Sequence, residues 1–68
     1  MSAFIKFATI LEEGNTLLKV DEVDSETLSF EIHCGSSEAL VLKEAMWAMG
    51  FVTRFELIGI CHYRVIEE

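Results

Sequence analysis

Two residue pairs in this chain carry metal-binding side chains, His33-Cys34 and Cys61-His62. Two cysteines and two histidines make a zinc ligand set when they converge. Adjacent strand residues point to opposite faces, so each pair offers only one side chain to either face. The strand order expected below also sets the two segments three strands apart. At about 4.8 Å per strand, that is beyond disulfide or zinc reach, whereas a last strand lying beside the third instead would favour the metal reading. Both cysteines then read as small core hydrophobes and both histidines as outer-face residues. No metal and no cofactor is expected.

Carboxylates are the other abundant reactive group. Glu12-Glu13 and the group Asp21, Glu22, Asp24 and Glu26 fall in or near predicted hairpin turns. The plain reading there is solvation and protection of strand edges. No Gly-rich phosphate loop and no Ser/His/Asp spacing stands beside them, so no catalytic residue is assigned and the chain reads as a non-enzyme. A spaced set of carboxylates on a small scaffold can also imitate a row of phosphates. The chain holds 5 Lys+Arg against 12 Asp+Glu, a net charge of −7. Lys6, Lys19, Lys43, Arg54 and Arg64 read as scattered, which argues against direct binding to nucleic-acid phosphate. A basic protein surface is the better electrostatic match.

These side chains need a scaffold, and 68 residues allow one domain, residues 1–68. The composition is 51% hydrophobic with no proline. Two cysteines are too few for a secreted disulfide scaffold. No secretory pattern opens the chain, and no apolar run would span a bilayer, so a cytoplasmic protein is expected.

Turn and cap residues divide the chain at Gly14-Asn15, Asp24-Ser25, Gly35-Ser36-Ser37 and Gly50. Ala3–Leu11 reads as a strand, apolar on both faces. Thr16–Val23 is a second strand. Thr27–Cys34 is a third, with clean alternation of Leu28, Phe30, Ile32 and Cys34 against Thr27, Ser29, Glu31 and His33. Ser36 or Ser37 caps a helix that runs to about Met49. Gly50 suits the left-handed position after it, with Phe51 folding back on Met46. Arg54–Ile66 reads as one last strand. The expected fold is α+β, a two-layer β-β-β-α-β domain with one helix on a four-stranded mixed sheet of order 4-1-2-3. Glu67-Glu68 would then share an end with Glu12-Glu13.

Two surfaces exceed what such a fold needs. The sheet face away from the helix would show Phe4, Ala8, Ile10, Leu17, Ile58 and Ile60. A contiguous apolar patch of this kind marks a partner site, most simply a homodimer through Phe4, Ile10, Leu17, Ile58 and Ile60. A covering tail or a one-residue register slip would remove the patch. On the helix, Leu40, Lys43, Glu44 and Trp47 fall on the half away from the core. An exposed Trp beside a Leu is a hot-spot pattern. The alternative places Trp47 flat under the turn at residues 51–53.

Ser29-Phe30-Glu31-Ile32 followed by Glu38-Ala39-Leu40-Val41-Leu42-Lys43-Glu44-Ala45-Met46-Trp47 resembles the T7-type phage inhibitors of bacterial RNA polymerase over residues 28–57. Gly35-Ser36-Ser37-Glu38-Ala39, within a β-β-β-α-β order, resembles the HicB-type antitoxin domain. A tiny acidic domain with surplus apolar surface also looks like other phage-encoded inhibitors, anti-CRISPR proteins among them. These resemblances imply a protein that binds another protein and blocks it. The expected partner is a host or defence protein that handles nucleic acid, contacted through Leu40, Glu44, Trp47 and the acidic turns. An antitoxin-like or accessory subunit of a stable complex is the alternative. A small metal or ligand module built on His33, Cys34, Cys61 or His62 is the third reading.

Overall fold

A computed structural model describes residues 2–14 and 18–68. The elements are α1 (Ala3–Gly14), β1 (Lys19–Asp24), β2 (Ser29–His33), α2 (Ser36–Ala48), β3 (Thr53–Gly59) and β4 (His62–Glu67). The α+β class expected from the sequence is present. The order of elements is αββ repeated, with two helices and a four-stranded antiparallel sheet of order β1-β2-β4-β3. The expected order 4-1-2-3, the mixed sheet and the single helix are corrected by this arrangement.

The first correction is at Ala3–Leu11, which is helix rather than strand. Its apolar residues come as doublets, Phe4-Ile5, Phe7-Ala8 and Ile10-Leu11, spaced three apart. That spacing makes a helical stripe and breaks a period of two. Phe4, Ile5 and Ala8 are buried, Phe7 and Leu11 pack against them, and Ile10 is exposed. Ser2 supplies the N-cap, its Oγ accepting from the Ile5 N–H at 3.1 Å.

The second correction is at Arg54–Ile66, which is a hairpin of two strands. A single strand over that span would be far longer than the usual 5–6 residues or so. The chain reverses at Ile60-Cys61, and Gly59 stands opposite His62. Cys61 takes a left-handed φ of 50°. Neither residue is a usual turn former, so the reversal carries no sequence signal.

The β1–β2 hairpin forms where expected, with Val20 opposite Ile32 and Asp21 opposite Glu31. Asp24 Oδ1 accepts from the N–H groups of Glu26 at 2.9 Å and Thr27 at 3.4 Å, closing the turn. These bonds hold the Asp24 carboxyl below its ordinary range, with the Glu26 N–H first and the Thr27 hydroxyl second. A depressed folded-state pKa gives stability that is present above the unfolded pKa and lost as pH falls through the folded one. Urea midpoints at neutral pH and at about pH 3 should therefore fall further for the wild type than for Asp24→Asn. Asn keeps the acceptor oxygen and removes the titration.

α2 ends as its sequence predicts. The Phe51 N–H donates to Met46 O at 2.9 Å and the Gly50 N–H to Trp47 O at 2.9 Å, with Gly50 at φ +95°. This is a Schellman closure. A Cβ at Gly50 meets nothing within 4 Å, so Gly50→Ala isolates the backbone term. It should lower thermal stability by about 1–2 kcal/mol, the penalty of a left-handed non-glycine residue. The helix start differs from expectation. Gly35 is the N-cap, and no side chain bonds into the cap.

One core joins Phe4, Ile5 and Ala8 of α1 to Val20, Phe30, Ile32 and Val65 of the sheet and to Ala39, Leu42 and Met46 of α2. The Phe4 ring meets Phe30 at 5.4 Å and Phe51 at 6.1 Å between centroids. α1 lies against β1 and α2 against β3. Because strand side chains alternate, Glu31 and His33 of β2 point away from this core.

Candidate functional site

On α2 the buried positions are only Ala39, Leu42 and Met46. This stripe is narrower than the sequence suggests, since Val41 and Met49 are exposed. Leu40 and Trp47 are exposed as expected, at 58% and 67%. Trp47 does not lie flat under the following turn. Leu40, Lys43, Glu44 and Trp47 line a groove of ≈ 530 Å³ with Phe51, Val52 and Thr53. Its far wall is the start of β3. Lys43 Nζ stands 5.8 Å from the Phe55 ring centroid, which holds the ammonium beside the groove.

The sheet face away from the core is mostly charged, with Ile66 among the charged residues, which corrects the apolar back expected there. It carries Asp21 of β1, Glu31 and His33 of β2, His62 and Arg64 of β4, and Arg54 and Glu56 of β3. Arg64 reaches Glu31 at 3.6 Å and Glu56 at 4.0 Å, and Arg54 reaches Glu56 at 3.5 Å and Glu68 at 3.9 Å. Lys19 lies 3.8 Å from Asp21. Lys19, Arg54 and Arg64 are therefore gathered among acids rather than scattered.

The residues expected on an apolar sheet back do not share a face. Phe4 is fully buried in the core, and Ile10 stands exposed on α1. Leu17 lies outside the described residues. Ile58 and Ile60 are exposed on the β3–β4 hairpin, Ile60 at 97%. The surface on which a homodimer was expected is thus absent as composed, because its first strand is a helix.

The acids are also redistributed. Glu12 and Glu13 are exposed in the last turn of α1 rather than in a hairpin. Glu67 donates its N–H to Leu28 O at 3.0 Å, so Glu67-Glu68 lies beside the turn of Asp24 and Glu26 rather than beside Glu12-Glu13. Glu22 takes a left-handed φ of 52° where the β1–β2 register shifts between Asp21 and Asp24. Glu22, Asp24, Glu31 and Arg64 border one open cavity of ≈ 510 Å³. Asp21 is a half-buried member of the sheet face rather than a solvated turn acid.

The strand order brings His33 and His62 together, which sequence reasoning missed. They are direct partners across β2 and β4, and their rings stack at 4.0 Å between centroids, 20° apart in plane. His33 Nε2 is 3.3 Å from Asp21 Oδ2, and His62 Nε2 is 2.7 Å from Glu31 Oε1. Asp21 Oδ1 is shielded from solvent and accepts no hydrogen bond among the described residues. An ionised oxygen in that position ordinarily costs free energy unless a partner reaches it. The distance argument against metal fails here, since the two segments are neighbours rather than three strands apart. The alternation argument holds, because Cys34 packs against the core while His33 faces away. Burial pushes the Cys34 thiol up, with Glu38 and Cys61 adding to the shift, so it stays protonated. The pairing of β4 with β2, a contact between segments far apart in the chain, is what sets His62 beside His33.

Among the described residues, no helix is long and apolar enough to cross a membrane. No protein-family model, no curated protein and no solved structure matches the chain.

Proposed function

We propose that this chain is a non-enzymatic protein-binding domain that blocks a basic, nucleic-acid-handling partner by covering its surface. The observation that carries the reading is the groove of Leu40, Trp47 and Val52, all at least half exposed and set against one another, whereas Ile10 and Ile60 stand exposed outside it. Isolated apolar residues on a surface need no partner, but an exposed Trp set against a walled apolar groove is the pattern of an interface centre. Glu44 at the groove and the net charge of −7 favour a cationic partner. Glu12, Glu13, Glu22, Asp24 and Glu26 act as outlying charge that speeds encounter. In the fuller form of this reading, the two helices cover one sheet face as a layer, and the protein works in a host cytoplasm as a phage-encoded inhibitor. That form rests on the resemblance of residues 28–57, on size and on charge.

The test is affinity capture with the tagged chain beside Trp47→Ala and Leu40→Ala, with bound proteins identified by mass. One stoichiometric partner, lost from both variants and released by added salt, is the expected result. A partner retained equally by both variants would remove the groove from the account.

A further inference from the structure

We infer that Asp21, His33 and His62 form a three-residue site for one divalent transition-metal ion of the zinc class on the open sheet face, with Glu31 orienting the His62 ring from its Nε2. This goes beyond the groove reading and does not depend on it. Asp21, His33 and His62 each bring one ligand atom within 4.8 Å of the other two. Zinc holds imidazole nitrogen and carboxylate oxygen at about 2.0–2.2 Å, so tetrahedral ligands stand about 3.4 Å from one another. The 3.3 Å between His33 Nε2 and Asp21 Oδ2 already matches such an edge. The two imidazoles stack at 4.0 Å, 20° apart in plane, so binding one ion requires both rings to turn until their nitrogens converge.

The backbone supports the cluster. The three ligand residues come from three hydrogen-bonded strands, and His33 and His62 are fixed opposite one another by the β2–β4 register. Glu31 Oε1 lies on His62 Nε2, and its Oε2 is anchored toward Arg64 at 3.6 Å. Asp21 turns Oδ2 toward His33, and Lys19 Nζ stands 3.8 Å from the same oxygen, so the ion would compete with that ammonium for the carboxylate. The donors are two nitrogens and carboxylate oxygens, a set that suits zinc, cobalt or nickel better than the harder magnesium or calcium. Cys34 takes no part, because it faces the core side of β2.

The experiment is calorimetric titration of the untagged, metal-stripped chain with zinc chloride, repeated on Asp21→Asn, His33→Gln and the double variant Cys34→Ser/Cys61→Ser. Circular dichroism and thermal melts establish that each variant is folded. The expected result is one ion per wild-type chain, affinity weakened by roughly 10- to 100-fold or more in Asp21→Asn and in His33→Gln, and no change in the cysteine variant. Cobalt loading should give visible d–d bands without a thiolate charge-transfer band. Absence of zinc binding by the wild type would overturn the inference. So would equal binding by folded Asp21→Asn and His33→Gln, or loss of binding in the cysteine variant.

Discussion

Phe4→Ala is expected to remove a large share of the domain's stability. Phe4 is fully buried and joins both helices to the sheet through Phe30 and Phe51. Truncating a buried Phe costs about 3–5 kcal/mol in lost transfer energy and cavity formation. At roughly 0.05–0.15 kcal/mol per residue, a chain of this size holds only about 3–10 kcal/mol in total. Ile10→Ala is the matched control on the same element, since Ile10 is 68% exposed. It should change stability by no more than about 0.5 kcal/mol. Had residues 3–11 formed a strand, Phe4 and Ile10 would share one face and respond alike. Urea titrations followed by far-ultraviolet circular dichroism separate the two cases. A Phe4→Ala protein as stable as the wild type would contradict the core described here.

Trp47→Ala is expected to act in the opposite way, abolishing partner binding while leaving the fold intact. Its side chain is 67% exposed and no hydrogen bond or ring contact holds it to the domain among the described residues. Loss of stability should stay within about 0.5 kcal/mol. Truncating a central interface Trp costs about 2 kcal/mol or more, or roughly 30-fold in Kd. Leu40→Ala should show a smaller loss in the same direction, because Leu is a weaker anchor than Trp. Glu44→Gln should mainly slow association and reduce its dependence on salt, as a rim charge does.

The parts of the fold that were legible in the sequence are those with a local signal. Gly50 after a helical stripe announces the end of α2, and the Met46, Trp47, Gly50 and Phe51 bonds follow. The alternation in Ser29–His33 and the Asp24 turn fix the β1–β2 hairpin. What was not legible had a competing signal or none. Seven apolar residues among nine in Ala3–Leu11 satisfy a two-faced strand almost as well as a helix, and only the doublet spacing and Ser2 decide it. The turn at Ile60-Cys61 uses an isoleucine and a left-handed cysteine where Gly or Asn would be expected.

Those two misreadings account for the fate of the candidate sites. Leu40, Glu44 and Trp47 follow from helical periodicity alone and lie on the exposed side of α2, and the groove they line with Phe51, Val52 and Thr53 is an addition from the structure. The apolar sheet back depended on residues 3–11 being a strand, and it is replaced by a charged face. The Asp21, His33 and His62 cluster depends on long-range strand order, which no local pattern encodes. The turn at Ile60-Cys61 sends β4 back along β3, and the separate pairing of β4 with β2 then sets His62 opposite His33.

The measurement that tests the central claim most directly is binding of the captured partner to wild-type and Trp47→Ala protein at low and raised salt. The account predicts a single stoichiometric partner with a basic surface, bound by the wild type, weakened by salt and lost in a fully folded Trp47→Ala variant. Equal binding by Trp47→Ala, with affinity indifferent to salt, would contradict it.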